Sequence, residues 1–257
     1  MPDGFSLFGA IYINSFSIFL ALGSGIGLIC SSWSENQSWK RSNRIFKNGT
    51  FALFGALLGG RIGYILVNWV YFQDNLNDIL QIWLGGINWV GAVAGALITI
   101  FIISQVSGVR FGDFSDELLP LFACIVTSVW LACWLTGYAY GVEVDAWWGV
   151  PAKNEWGDFA VHWPVQLVGS ISALLIHWLT EFSKHRLNIK YPGIPTCIEV
   201  IGFGLTLIIL SNFRAESFNQ WRGIDLDILA VISVVCLTAI FIIMPPKLIT
   251  QNRIKTI

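Results

Sequence analysis

Arg61, Gln166 and Arg214 are polar residues inside or at the ends of apolar stretches, and they are the first candidates for chemistry in this chain. A guanidinium is planar and can grip a phosphate with two parallel hydrogen bonds, to which an amide can add a donor and an acceptor. Arg61 sits in Leu57-Leu58-Gly59-Gly60-Arg61-Ile62-Gly63-Tyr64, well inside such a stretch. An arginine at that depth costs about 2.5–3.5 kcal/mol on insertion scales, so a retained one points to function. Snorkelling toward the nearer surface is the structural alternative. The glycines around it leave room for another helix or a lipid headgroup. Glu199 is a second isolated charge in an apolar run; it could couple to protons, although no basic partner is evident in sequence. Asp116 and Glu117 follow Ser115 at the start of another run, where carboxylates complement a helix dipole.

The elements that must hold these residues are membrane helices. Of the 257 residues, 55% are hydrophobic and 12% charged, against roughly 25% charged in soluble domains. Mean hydropathy is +0.65. Apolar runs near 11–30, 48–70, 88–106, 117–136, 163–180, 195–212 and 225–244 each approach the ~20 residues that cross a bilayer. The expected fold is therefore all-α, a single polytopic membrane domain over 1–257 with seven transmembrane helices. The first run lacks a basic leader or a small-residue cleavage site and reads as a retained helix.

Basic residues set the expected orientation. Lys40, Arg41, Arg44, Lys47, Arg110, Lys184, Arg186, Lys190, Lys247, Arg253 and Lys255 fall on one side, eleven against Lys153, Arg214 and Arg222 on the other. That places the amino end outside and the carboxyl end in the cytoplasm. The second run then travels outward, the fifth starts outside and the sixth ends there. Arg61, Gln166 and Arg214 come to similar depth near the outer leaflet, with His162 and Glu216 close by and the segment 137–162 over the same face. Two arginines and a glutamine at headgroup depth suit an anionic lipid.

Other features read as architecture. Gly23/Gly27, Gly55/Gly59, Gly59/Gly63 and Gly91/Gly95 give faces on which helices can approach closely, within one molecule or between two. Trp69, Tyr71, Trp83, Trp89, Trp147, Trp148 and Trp163 fall near run ends, as an interfacial belt would. Cys30, Cys124, Cys133, Cys197 and Cys236 lie in apolar stretches without a CxxC pair and read as buried small hydrophobes. His162, His177 and His185 lack metal-ligand spacing, and neither a metal nor a cofactor is expected. The net charge of −1 gives no case for nucleic acid.

The chain resembles the prolipoprotein diacylglyceryl transferases, bacterial seven-helix enzymes with the amino end outside. Gly59-Gly60-Arg61-Ile62-Gly63-Tyr64, then Ile82-Trp83-Leu84-Gly85-Gly86, then Gly91 and Gly95 are similar in order and spacing to that family's GGRLGY … WxGGxSxHGG region. Asp116, Pro120, Gly137 and Gly141 match further family positions. Trp163-Pro164-Val165-Gln166-Leu167 is similar to its HPSQLYE stretch, and Gly202-Phe203-Gly204 with Arg214 to the end of its sixth helix. The resemblance implies transfer of diacylglyceryl from phosphatidylglycerol to the lipobox cysteine of prolipoproteins, in a bacterial inner membrane. It implies no cofactor, and it implies headgroup binding by Arg61, Tyr64, Gln166 and Arg214. Partners would be phosphatidylglycerol or another anionic lipid, and prolipoprotein signal peptides.

Several family positions hold other residues here. Its HGG histidine is Val90, its signature arginine Trp130, the signature asparagines Cys133 and Thr136, and the signature glutamate Tyr138. The sixth-helix arginine and glutamate are Leu207 and Ser211, and a first-helix tyrosine is Phe16. His162 and Glu216 are then the candidate bases. Three functions stay open: a transferase with a rebuilt site, a non-catalytic relative that binds anionic lipid or lipoprotein signal segments, and a small transporter built on Glu199.

Overall fold

The structure is a computed structural model and describes residues 4–7, 11–33, 38–81, 85–153, 159–187, 189, 191–215, 220–221 and 224–243. Its long helices are α1 (Ser15–Ser32), α2 (Trp39–Val67), α4 (Trp89–Ser107), α6 (Leu119–Thr136), α7 (Val165–Arg186), α8 (Ile194–Ser211) and α9 (Leu226–Ile243). Short α3 (Trp69–Phe72), a 3-10 turn (Leu76–Leu80) and α5 (Phe111–Glu117) lie between them. Six helices (α1, α2, α4, α6, α7 and α8) are long and apolar enough to cross a membrane, and α9 carries a shorter apolar stretch, Leu229–Ile240. The protein is a polytopic membrane protein.

Four of the seven expected runs match their helices to within two residues at each end. The other three differ for physical reasons. α2 starts nine residues before 48, because Trp39–Lys47 is polar yet helical and an apolar-run criterion passes over it. α7 continues past 180 to Arg186 and ends in Lys184, His185 and Arg186, cations that suit a helix carboxyl terminus. The first helix starts at Ser15, because Ile11–Asn14 is strand β2, paired antiparallel with β1 (Gly4–Leu7). Two further antiparallel pairs, β3–β4 (Val150–Lys153, Phe159–His162) and β5–β6 (Gln220–Trp221, Ile224–Asp225), add strand that the all-α expectation omitted.

Helix ends follow local chemistry. Asn88 caps α4 by accepting from the Gly91 N–H at 2.9 Å. Pro120 opens α6, where its missing N–H costs nothing. Gly137 closes α6 in the left-handed conformation at φ 72°.

The glycine faces serve packing within the chain. A Cβ on Gly59 would stand 2.8 Å from the Gly95 Cα, and one on Gly63 would stand 3.1 Å from the Gly91 Cα. Gly23 meets Ser128, and Gly27 meets Leu121 and Cys124. Small clusters fill the remaining core: Ile45, Ala52, Leu118 and Leu121 in one, Ala123, Ala173 and Phe203 in another. Large apolar side chains face outward instead, among them Phe54, Leu58 and Ile62 on α2 and Leu174, Leu175 and Trp178 on α7. Water would penalise that surface; lipid does not. The cysteines depart from expectation in the same way. None is buried, and Cys30 and Cys236 lie on exposed faces.

Neighbouring helices run antiparallel, as the pairs Gly55/Thr99 with Gly63/Gly91, Gly27/Leu121 with Gly23/Ser128, and Gly169/Trp130 with Ala123/Ala173 require. This alternation gathers the carboxyl ends of α2, α6 and α8 and the amino ends of α4 and α7 at one end of the bundle. Arg61, Gln166 and Arg214 all belong to that end.

Candidate functional site

Two clusters occupy this end. The first is built on Arg61, which is 6% exposed. Its Nε donates to the Ile79 carbonyl at 3.0 Å, and its Nη1 donates to Gly85 at 2.7 Å and Gly86 at 3.2 Å. Nη2 donates to the Asp78 carbonyl in a short hydrogen bond. Four of its five N–H groups therefore hold the turn between α3 and α4. The Tyr64 and Phe72 rings lie 5.8 and 5.4 Å from the guanidinium carbon, within cation–π range. Gly85 and Gly86 have φ of 90° and 83°, a conformation open to glycine, and both turn their carbonyls onto Arg61. A Cβ on Gly86 would strike the Tyr64 ring at 2.5 Å. Burial of this charge is thus offset by backbone dipoles.

The second cluster forms where α6 ends. After Gly137 the chain passes through Ala139, a non-glycine residue at φ 55°. Such outliers persist where surrounding structure enforces them. The extended segment that follows pairs on both sides. Val142 N–H donates to Phe213 and Ala215 N–H to Tyr140, bridging Gly141 to Arg214. Val144 N–H donates to Val161 and Trp163 N–H to Val142, continuing the ladder into β4. Four short segments thus pair side by side in the order 150–153, 159–162, 140–144 and 213–215.

The sheet fixes the side chains. Along β4 the alternation exposes Phe159 and Val161 and turns His162 inward, leaving it 2% exposed. His162 Nδ1 lies 2.9 Å from the Gly141 carbonyl oxygen, and the Tyr140 ring meets the imidazole edge-on at 5.2 Å. Gln166, also 2% exposed, donates from Nε2 to the Tyr138 carbonyl at 3.1 Å. Trp163 stacks on Phe213 with centroids 4.6 Å apart. His162 and Gln166 line one tight, closed recess with Trp134, Ala152 and Leu167.

Gln166, His162 and Arg214 therefore converge on 138–141, and Arg61 with Tyr64 forms its own cluster beside α4. Glu216 lies outside the described residues, as do 82–84 of the glycine–tryptophan region. Trp130 packs its indole against Gly169 of α7. Val90 and Leu207 are half-buried on their helices.

The opposite end is structural. Asp116 accepts from Gly193 N–H at 2.8 Å, Thr196 N–H at 3.1 Å and the Thr196 hydroxyl at 2.6 Å, so it caps α8 and not its own helix. Burial pushes its carboxyl above the usual carboxylate range, against those three donors. Glu117 takes Arg41 and Arg44, each at 3.0 Å. Glu199 does have a basic partner: His177 Nδ1 on α7 lies 3.1 Å from its Oε2. Sequence reasoning missed this pair because the two residues stand 22 apart on separate helices. Among the described residues no group of His, Cys, Asp or Glu could hold a metal ion.

Comparison with known proteins gives a consistent result. The family model described as prolipoprotein diacylglyceryl transferase matches residues 2–245. A phosphatidylglycerol–prolipoprotein diacylglyceryl transferase of Oleidesulfovibrio alaskensis is 33% identical over 149 residues, 56% of this chain and 55% of that protein. Proteins of the same name from Finegoldia magna and Corynebacterium diphtheriae are 26% and 22% identical, over 83% and 93% of this chain and 83% and 90% of their own length.

Proposed function

This chain belongs to the prolipoprotein diacylglyceryl transferase family, and from that premise we propose that it moves diacylglyceryl from phosphatidylglycerol to the lipobox cysteine of prolipoproteins. The observation that carries the site assignment is the convergence of Gln166, His162 and Arg214 on 138–141 at the Arg61 end. In this reading Arg214 and Gln166 meet the phosphoglycerol headgroup, where a guanidinium stabilises the charge that develops on the leaving phosphate. Arg61, committed to four carbonyls, adds its positive field and holds the turn that Tyr64 lines.

The same reading sets the membrane frame. The chain is one domain with seven spans, α9 being the seventh, in a bacterial inner membrane. The excess of basic residues at the α1–α2, α4–α5 and α7–α8 turns and in the tail supports an amino end outside and a carboxyl end in the cytoplasm. The site then opens to the outer leaflet, where lipobox cysteines of translocated prolipoproteins would arrive.

A second reading is favoured by one observation: the indole of Trp130, at the place of the resembled family's arginine, fills space against Gly169. There the protein binds anionic lipid or signal segments without turnover. The deciding experiment supplies purified protein in detergent with acyl-labelled phosphatidylglycerol and a lipobox peptide. Label passing to the peptide cysteine is expected. Retention of labelled lipid without transfer leaves the second reading.

A further inference from the structure

The Nε2 atom of His162 is buried and has no hydrogen-bond partner among the described residues. Its neighbour in the ring decides what that atom is. A carbonyl oxygen only accepts, so the 2.9 Å contact between Nδ1 and the Gly141 carbonyl requires the proton to be on Nδ1. In the neutral ring Nε2 is then a bare lone pair, an acceptor waiting for a donor. Three features fix the position of the ring: the sheet register that turns His162 inward, the Tyr140 ring against its edge, and the Gly141 bridge to Arg214. The imidazole and Gln166 line one closed recess, which the substrate cysteine must open to reach Nε2.

We infer that His162 is the proton acceptor of this chain's transfer reaction, taking the thiol proton of the substrate cysteine at Nε2; the inference rests on the transferase reading above. As the S–H proton passes to Nε2, the sulfur electron pair forms a bond to the terminal glyceryl carbon. That carbon's bond to the phosphate oxygen breaks, and its electron pair leaves with glycerol phosphate. The imidazolium, donating from Nδ1 to Gly141, then yields its Nε2 proton to the leaving phosphate or to solvent. Neither oxidant nor metal enters. The sulfur is alkylated, the phosphodiester becomes a phosphomonoester, and the thiol proton ends on that phosphate or in solvent. Val90 cannot serve in this way, having no titratable group, and His162 reaches the site from a different element, strand β4.

His162→Asn separates this role from a structural one. The asparagine amide can donate where Nδ1–H donates, keeping the Gly141 hydrogen bond, and it offers nothing at the Nε2 position. The expected variant melts and retains phosphatidylglycerol as wild type does, while transfer at neutral pH falls ~10²–10³-fold. The deficit shrinks above about pH 8.5, where the thiol ionises without help. A variant that transfers within roughly threefold of wild type, with a parallel pH profile, overturns the inference, since a base contributes at least ~10²; Nε2 then holds only a water or a headgroup hydroxyl. Should the variant fail to fold, wild-type kcat/KM must itself fall on the acid side with a one-proton slope, and a flat acid side overturns the inference. Wild type that binds labelled lipid and transfers none of it sinks the transferase reading, and the base with it.

Discussion

His177 on α7 faces Glu199 on α8 across 3.1 Å, in the half of the bundle away from Arg61. Glu199 is wholly buried and Phe203, one turn on, belongs to the α6–α7–α8 core. A lone carboxylate there would have neither water nor a counter-charge. Removing one member of a buried pair typically costs 3–5 kcal/mol, more than the pair itself contributes. His177→Ala is expected to destabilise the folded protein by about 3 kcal/mol, read as a shifted midpoint of unfolding in detergent. Glu199→Gln, which leaves only the partly exposed His177 imidazole, a group that can stand neutral, is expected to cost less. If Glu199→Gln alters a pH response of lipid or solute movement, the transporter reading regains its basis.

Gly59→Ala and Gly91→Ala should each separate α2 from α4, because the added carbon meets backbone that cannot rotate aside. Overpacking of this kind costs about 1–3 kcal/mol. Gly25→Ala is the matched control: nothing stands within 4 Å of its new methyl. Unfolding midpoints that move equally in all three would refute close helix contact on the Gly59 face.

Arg61→Lys keeps the charge and loses the fork. An ammonium presents three donors from one point and cannot satisfy carbonyls at 78, 79, 85 and 86 together. Amide exchange at 85–88 and 76–81 is expected to quicken while that of α7 stays unchanged. Unchanged protection in the turn would show that Arg61 is not what orders it.

Asp116→Ala removes the cap from α8 and is expected to cost about 1–2 kcal/mol, in the range of capping substitutions. Glu117→Gln is expected to cost under about 1 kcal/mol, because its two arginines are about half exposed and salt screens such pairs. Melting of both variants at low and high salt tests the difference; only the Glu117 effect should fade with salt.

Arg214→Ala and Gln166→Ala bear on the headgroup. Loss of co-purifying phosphatidylglycerol, scored by lipid extraction and mass spectrometry, is expected for both, with Arg214→Ala the stronger. Wild-type retention by an Arg61/Arg214 double variant would remove the headgroup assignment.

Much of the fold was legible because a span is a property of local composition: twenty apolar residues suffice to mark one. The glycine pairs were legible for the same reason, and their partners turned out to be α4 for α2 and α6 for α1. What stayed hidden is carried by backbone or by distant sequence. Arg61 reads as a free guanidinium until the carbonyls of 78, 79, 85 and 86 are seen around it, and every residue has a carbonyl. Asp116 caps a helix about 80 residues on, and His177 answers Glu199 from another helix. The inward turn of His162 depends on a strand pairing too short to show as an alternating pattern. The early start of α2 escaped because its first turns are helical without being apolar.

That early start gives α2 the geometry of a ruler. Its 29 residues span about 44 Å at 1.5 Å per residue, against ~30 Å of hydrocarbon. Lys40, Arg41, Arg44 and Lys47 sit at one end, and Arg61 lies about 31 Å above Lys40 on the same rigid rod. The basic foot cannot sink into hydrocarbon, so it sets the height at which the Arg61 turn meets the opposite leaflet. A bilayer a few ångströms thicker or thinner would tilt the rod or shift that turn relative to the headgroups. Activity of this chain should then depend on acyl-chain length as well as on headgroup.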